Sequence, residues 1–192
     1  IVLDNPLDTS RIPARHTGER KRTVVAAGRL HEQKNFSLLI RAFARFYKTH
    51  HAYSLVIYGE GPEKEKLLRT ASSLGIAGAV ELAGQSKTLL EDINDSGMFV
   101  LSSDYEGMPN VLIEAMACGL SCIATDCPIG GVRSLLVSGE NGLLIPVGDE
   151  DALYEAMCKL AEDETYADWL GQHAAGIRTR LDEELVAKQW RR

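Results

Sequence analysis

The amino-acid sequence predicts an α/β fold: a Rossmann-like parallel sheet of about six strands with flanking helices and an all-helical carboxyl-terminal end. Three observations lead to this prediction. Short apolar runs rich in β-branched residues recur along the chain, and each is followed by a small-residue turn. Amphipathic helical patterns lie between the runs, and after residue 148 the pattern is helical throughout. Such strand–helix alternation is typical of βαβ units with right-handed crossovers.

The predicted strands are apolar runs bounded by turn residues. Near-continuous apolar sequence suits a strand that is covered on both faces of a sheet. The runs are TVVAAG (23–28), SLVIYG (54–59), AVELAG (79–84), MFVLSS (98–103), SCIATD (121–126) and GLLIP (142–146).

The first predicted helix follows Asn35, a favoured N-cap residue. Its apolar side chains recur at helical spacing over residues 36–47. A second helix is predicted over residues 62–74, with Pro62 at its start. The helical end of the chain is predicted to contain one helix from about Glu150 to Glu162, another through Trp169 and a third from about Leu181.

Length and composition are those of an ordinary globular domain. The chain has 192 residues, of which 45% are hydrophobic and 25% are charged, so extended disorder is not expected. The formal net charge of −6 argues against bulk binding of nucleic acid. No apolar run reaches the roughly 18 residues of a membrane-spanning helix.

The four cysteines and five histidines form no recognisable metal-binding pattern. Cys118 and Cys122 lie in the apolar stretch EAMACGLSCIATD, and Cys127 follows without the paired C-x-x-C spacing of a zinc site. The sequence therefore predicts buried, reduced thiols and no metal site, and this favours a reducing, cytoplasmic compartment.

Ligands bind a doubly wound sheet where its strands end, so the loops after the predicted strands contain the candidate site. After the first strand, GRLHEQKN has Gly28 at a turn and two cations, Arg29 and Lys34, just before a helix. Cations beside free backbone N–H groups form an anion site that suits a diphosphate. Two solvated surface charges would give the same sequence.

The loops after the second and third strands supply glycines. Gly59 and Gly61 of GEGPEKEK would let the backbone approach a ligand, although G-x-G without a third glycine also fits a plain strand-to-helix turn. Gly84 and Gln85 of GQSK would offer backbone and amide groups to a flat base, which is a weak signal by itself.

The segment after the fourth strand, SSDYEGMPNVLIEAMACG (102–119), carries the strongest signal. A helix is predicted from about Met108, with Pro109 in its first turn and Gly119 as its C-terminal stop. The helix is apolar nearly all round. Its one carboxylate, Glu114, needs a partner because burying an unpaired charge is costly.

Two carboxylates, Glu106 and Glu114, flank the start of this helix, and Asn110 lies one turn before Glu114 on the same face. They could be ordinary complements of the helix dipole. The residues favour a ligand site instead, in which carboxylates accept hydrogen bonds from sugar hydroxyls and the N–H groups of residues 107–110 bind a phosphate. The next loop, residues 126–142 with a glycine pair, would line the same cleft or merely connect elements.

Taken in order, these motifs resemble those of a known family. The succession GRL…QKN, GEGP, E-G-M-P-N-x-x-x-E, A-M-A-C-G, a glycine pair and GENGLLIP is similar to the carboxyl-terminal half of retaining glycosyltransferases of the GT-B fold, family 4. The E-x7-E spacing of Glu106 and Glu114 is the most specific element. The resemblance implies that residues 1–16 are an interdomain linker segment and residues 17–192 a nucleotide-sugar-binding domain, with the amino-terminal acceptor domain absent.

The resemblance also implies a role for each matching residue. Arg29 and Lys34 would neutralise the donor diphosphate, and Glu106 would hold a hydroxyl of the donor sugar, so these three are the candidate catalytic residues. Glu114 would accept hydrogen bonds from the ribose hydroxyls. The candidate donor-binding residues are Gly28, Gly59, Gly61, Gly84, Gln85, Gly107, Met108, Pro109, Asn110 and Glu114.

The reaction implied by the resemblance is retaining transfer of a hexose from a nucleotide sugar, UDP-linked, to a glycan or lipid-linked glycan. Bacterial capsule, lipopolysaccharide and oligosaccharide synthesis use such enzymes. No cofactor and no metal are expected, and no nucleic acid is expected as a partner. The isolated domain is expected to be inactive. The expected location is cytoplasmic, with peripheral attachment of the full-length protein to the inner face of the cell membrane.

Some positions depart from the family pattern, and two other classes of protein are alternatives to it. Ser121 stands where relatives often have proline, and Val132 and Ser134 stand where G-P-x-E is frequent, so that stretch is given no role. A nicotinamide-dependent oxidoreductase would need a full G-x-G-x-x-G after the first strand, where the chain has GRLHE. The second alternative is a non-catalytic α/β nucleotide-binding module.

Overall fold

A computed structural model describes residues 7–128, 130–182 and 186. In this part of the chain, six parallel strands form one sheet in the order β3-β2-β1-β4-β5-β6. The order reverses between β1 and β4, so the predicted Rossmann-like sheet is confirmed. The strands are β1 Lys21–Ala27, β2 Ser54–Tyr58, β3 Val80–Gly84, β4 Ser96–Leu101, β5 Ser121–Thr125 and β6 Leu143–Ile145.

The helices of the described residues cover both faces of the sheet and make up the carboxyl-terminal end. None of them has the length and apolar character needed to cross a bilayer. They are α1 Phe36–Tyr47, α2 Lys64–Ser73, α3 Leu89–Ile93, α4 Asn110–Ala117, α5 Gly131–Leu135, α6 Glu150–Glu162, α7 Glu164–Ala174 and α8 Ile177–Arg180.

Strand β1 shows why the predicted strands are apolar on both faces. Val24 and Ala26 point into the core that contains α1, α2 and α6, while Val25 and Ala27 point into the core that contains α4 and α5. All four side chains are buried. Side chains of a strand alternate between faces, so a sheet covered on both sides needs an apolar residue at every position.

Two helices have the bounds that the sequence predicts. Helix α1 begins after Asn35, whose side-chain oxygen accepts a hydrogen bond from the Leu38 backbone N–H at 3.2 Å, which confirms the N-cap. Helix α6 runs from Glu150 to Glu162 as predicted. The predicted burial of Cys118 and Cys122 is also confirmed, and burial raises the pKa of the Cys118 thiol to about 11. Cys127 is buried as well.

Two other helices begin later than predicted. Helix α2 starts at Lys64 because Pro62 and Glu63 form a turn, in which the Glu63 N–H donates to the Leu30 carbonyl. Helix α4 starts at Asn110 because Pro109 is extended, with φ −79° and ψ 94°. The residue before a proline also avoids the helical region, so Met108 lies outside the helix.

The remaining differences concern short elements. The five-residue helices α3 and α5 were not predicted, since they are too short to show a helical period. The helix predicted from about Leu181 does not begin there, because α8 ends at Arg180 with Leu181 as its C-cap, and Asp182 forms a bridge with Leu7. The rest of that predicted helix lies outside the described residues except for residue 186, as do residues 1–6 of the predicted linker. The domain boundary stays a prediction.

Candidate functional site

The loops that follow β1 to β4 meet at the carboxyl edge of the sheet, beside the point where the strand order reverses. A cavity of about 370 Å³ opens there. It brings together residues from the loops after β1, β2 and β3 and from helix α4. The predicted site residues in its wall are Gly28, Arg29, Gly59, Gln85, Asn110 and Glu114.

Lys34 and Glu106 lie beside this cavity and form an ion pair with each other. The Lys34 Nζ atom donates to Glu106 Oε1 at 2.6 Å. Both side chains are mostly buried, with 16% and 9% of their surface exposed. Charges are screened less in such surroundings than at the surface, so each group depends on the other to stay buried as an ion.

A second donor reaches the same carboxylate oxygen. The hydroxyl of Ser103, a fully buried residue, donates to Glu106 Oε1 at 2.6 Å. No role for Ser103 was predicted from the sequence. Its position three residues before Glu106, at the end of an apolar strand, was the available signal.

The loops after β1 and β4 are joined by further hydrogen bonds. These bonds fix the backbone on both sides of the ion pair, so the pair is part of a rigid junction between the two loops. They run from Asn35 Nδ2 to Asp104 Oδ1, from the Asp104 N–H to the Gln33 carbonyl, from Gln33 Nε2 to the Tyr105 carbonyl and from Ser102 Oγ to the Lys34 carbonyl, all between 2.8 and 2.9 Å.

The glycines after β2 allow two loops to pack against each other. A Cβ atom at Gly59 would lie 1.9 Å from the Gly28 carbonyl oxygen, and one at Gly61 would lie 2.4 Å from the Leu30 carbonyl oxygen. Neither distance is possible for real atoms. The observed reason for these glycines is therefore packing between loops, and only Gly59 also borders the cavity.

Gly131, the second glycine of the pair, packs against the loop after β4. A Cβ atom at Gly131 would lie 1.4 Å from the Gly107 carbonyl oxygen. Helix α5 can therefore approach the 106–109 loop only with glycine at this position. The glycine pair was the signal for this contact, although the pair alone did not indicate what it touches.

Glu114 lies in the apolar helix α4 and faces the cavity. Burial raises the pKa of its carboxyl group, and the positive charge of Arg11 partly opposes this effect. Within the described residues, no side chain forms a hydrogen bond or ion pair with this carboxylate. The partner that the sequence analysis required for it is therefore missing from the described part of the chain.

Glu114 also borders a second, larger cavity of about 790 Å³. Residues 7–13, the start of α3 and helix α4 form its walls, and Ser86, Leu89, Asn110 and Glu114 are shared with the first cavity. The segment predicted to be a linker thus forms part of the wall around this carboxylate.

Arg29 is the exposed cation of the site. It lines the first cavity, and no ion pair forms between it and any other described residue. Gly84 adopts a left-handed conformation, with φ +75°, at the turn before Gln85. Across the described ranges, no group of three or more histidine, cysteine, aspartate or glutamate side chains is arranged to hold a metal ion.

Comparison with a protein-family model and with curated proteins gives concordant results. The model of the family "Glycosyl transferases group 1" matches residues 9–176. The chain is 34% identical over 170 residues to exopolysaccharide phosphotransferase SCO2592 of Streptomyces coelicolor, covering 88% of this chain and 18% of that protein. It is 33% identical over 166 residues to a Campylobacter jejuni N-acetylgalactosaminyltransferase that acts on a diphospho-undecaprenol-linked sugar, covering 85% and 44%. The chain therefore spans less than half the length of these relatives.

Solved structures share the fold at low sequence identity. Staphylococcus aureus TarM, in complex with UDP and other ligands, superposes with a TM-score of 0.90 at 24% identity, covering 99% of this chain and 38% of that one. Anabaena HepE, in complex with UDP and glucose, gives a TM-score of 0.87 at 20% identity, covering 98% and 54%. The C-terminal domain of Francisella tularensis LpcC gives 0.79 at 19% identity, covering 91% and 97%.

Proposed function

We propose, since this chain belongs to the group 1 glycosyl transferases, that it is the donor-binding domain of a retaining glycosyltransferase. The reaction proposed is transfer of a hexose from a UDP-linked sugar to a glycan or lipid-linked glycan. The observation that supports this function best is the cavity at the carboxyl edge of the sheet. It combines an exposed cation, Arg29, with a half-buried carboxylate, Glu114, and it lies beside the Lys34–Glu106 pair.

The state of Glu114 suits a ribose. A half-buried carboxylate with no bonded partner among the described residues gains from neutral hydroxyl donors, because they satisfy its oxygens without adding charge. The two adjacent hydroxyls of a ribose are such donors. In this proposal Asn110, one turn earlier, lies beside the same ligand, and Gly84–Gln85 border the base.

The diphosphate is assigned to the cations and to the amino end of α4. Arg29 and Lys34 come from the loop after β1, and the N–H groups at the start of a helix attract an anion. Positive charge fixed in place before the reaction would stabilise the departing diphosphate. We expect these groups to act without Mg²⁺, and we expect Glu106 to hold a donor-sugar hydroxyl.

Proteins similar to this chain support the choice of donor and acceptor. TarM and HepE, which share the fold, were each solved with UDP. The Campylobacter relative is named for transfer to a lipid-linked diphospho-sugar. For the full-length protein we propose a cytoplasmic location with peripheral membrane attachment, since a lipid-linked acceptor would lie at the membrane.

Calorimetry with the purified chain tests the donor assignment. UDP, GDP, ADP, NAD and uridine are titrated separately, and we expect UDP to bind while NAD does not. Absence of binding by every nucleoside diphosphate would refute the proposal. Arg29→Ala should weaken UDP much more than uridine, because only UDP carries phosphate. Equal losses for both ligands would show that Arg29 does not contact the diphosphate.

A second measurement tests whether the chain suffices for transfer. We expect the chain alone to transfer no sugar from UDP-glucose or UDP-N-acetylglucosamine to lipid-linked or free glycans, since the acceptor side of the reaction is assigned to another domain. Turnover by the chain alone would refute that assignment.

A further inference from the structure

The hydrogen bonds around Glu106 distinguish its two carboxylate oxygens. Lys34 Nζ and Ser103 Oγ both donate to Oε1, each at 2.6 Å. No group in the described part of the chain donates to Oε2. One oxygen is thus held from two sides, and the other accepts no hydrogen bond from the described residues.

Ser103 is itself held independently of its hydroxyl. Thr125 Oγ1 donates to the main-chain carbonyl of Ser103, and Cys127 Sγ lies 3.2 Å from the same oxygen as a second, weaker donor. Both of these side chains are buried and come from β5 or the residues just after it. The hydroxyl therefore projects from a fixed backbone.

We propose that Ser103 is a positioning residue for Glu106. Its hydroxyl and the Lys34 ammonium together fix the plane of the carboxylate, so that Oε2 is directed to a hydroxyl of the donor sugar. This inference rests on the proposed function of Glu106. A carboxylate held by one ammonium alone can turn about its side-chain bonds, whereas two short hydrogen bonds to one oxygen restrict that rotation, and the geometry is set before the ligand arrives.

Two neighbouring buried serines have a different kind of partner from that of Ser103. The hydroxyls of Ser102 and Ser121 are also buried, and they donate to main-chain carbonyls, at 2.8 Å to Lys34 and 3.1 Å to Gly97. Those bonds satisfy a buried hydroxyl and stabilise the backbone. The bond from Ser103 goes to an ionisable side chain at the candidate site instead.

Ser103→Ala, with Ser121→Ala as the matched control, tests the proposal by calorimetry. The probes are UDP, UDP-glucose and UDP-N-acetylglucosamine. We expect Ser103→Ala to change the affinity for UDP by no more than about twofold. The ratio of the affinity for the tighter-binding sugar nucleotide to the affinity for UDP should fall by about five- to tenfold, which corresponds to the loss of one hydrogen bond. Ser121→Ala should change neither.

A purely structural role would weaken UDP and the sugar nucleotides by the same factor, and that result would overturn the proposal. The proposal would also be overturned if Ser103→Ala left the ratio of sugar-nucleotide affinity to UDP affinity unchanged. The same holds if the wild-type chain binds neither sugar nucleotide more tightly than UDP. A crystal structure of Ser103→Ala decides the matter without a ligand. We expect the Glu106 side chain in that structure to turn away or to adopt more than one conformer. A Glu106 carboxylate in its wild-type position would overturn the proposal. This result does not depend on nucleotide binding, so it separates failure of this inference from failure of the proposed function.

Discussion

Helix α4 begins at the candidate site and ends at the opposite edge of the sheet, and charged side chains meet its two ends differently. At its carboxyl end, Arg178 donates to the Ala117 carbonyl and Arg20 to the Gly119 carbonyl. Arg20 also donates to the carbonyls of Asn94 and Ser96. These cations neutralise the negative end of the helix and fasten it to neighbouring segments, which is a structural use of charge.

At the amino end of α4, charged side chains either pair with each other or have no hydrogen-bond or ion-pair partner among the described residues. Lys34 and Glu106 form a buried pair, while Glu114 has no bonded partner there. The carboxyl end of α4 shows that this fold can provide hydrogen-bond partners for partly buried charged groups whose role is structural. Charge that the fold leaves unsatisfied is then evidence for a ligand.

The largest expected effect is on stability, at the buried pair. Lys34→Ala should lower the free energy of unfolding by about 3–5 kcal/mol, because Glu106 is left buried without its cation. Adding Glu106→Gln should recover part of this loss. Urea unfolding measures both. The control is Lys66→Ala: the Lys66–Glu63 pair has the same 2.6 Å separation but an exposed lysine, so about 0–1 kcal/mol is expected. A double variant as unstable as Lys34→Ala would contradict the pairing.

The next effect is on ligand affinity. Glu114→Ala should weaken UDP by about 1.5–3 kcal/mol, because the ribose hydroxyls lose a charged acceptor, while the free energy of unfolding stays the same or rises. Calorimetry and urea unfolding measure the two quantities. Glu155→Ala, an exposed carboxylate on α6, serves as the control. Unchanged UDP affinity would refute the assignment of Glu114.

At the other end of the helix the expectation is reversed. Arg20→Ala should lower the free energy of unfolding by about 1–3 kcal/mol, because main-chain carbonyls lose their donor, and should leave UDP affinity unchanged. Arg22→Ala, at an exposed position of β1 two residues after Arg20, is the control and should change neither quantity. A clear fall in UDP affinity for Arg20→Ala would show that the two ends of the sheet are not separate in function.

The smallest effect is a dependence of stability on pH. Burial raises the pKa of Glu114 in the folded chain, so the folded state binds a proton more tightly than the unfolded state does. The resulting stabilisation is present below the unfolded pKa and is lost as the pH rises through the folded pKa. We expect the urea midpoint of the wild type to fall across this window relative to that of Glu114→Gln. Parallel curves for the two proteins would contradict the shift.

The strands and long helices could be predicted because their apolar pattern repeats along the chain. Helix α1 has a cap and a clear helical period, and both survive in the structure. Helices α3 and α5 could not be predicted, since five residues show no period. The residues of the site could be named from local motifs and a family resemblance.

Their contacts could not be predicted in the same way. Lys34 and Glu106 are 72 residues apart in sequence, and they come within 2.6 Å because β1 and β4 are neighbours in the sheet. The contact between Gly131 and Gly107 likewise depends on how α5 packs. Such contacts are set by topology, so the sequence motifs indicate which groups are present and leave their pairing to the fold.

The pairing of β1 with β4 also has a consequence for how the chain is made. Val25 lies beside Phe99, so one edge of the central strand stays unpaired until more than seventy further residues have been synthesised. During that time β1 can pair only with β2, which it meets at Val25–Val56. An exposed apolar edge is a template for association with other chains. Chain segments that end before β4 are therefore expected to aggregate. Chaperone binding during synthesis should be strongest after β3 has been synthesised and before β4 has.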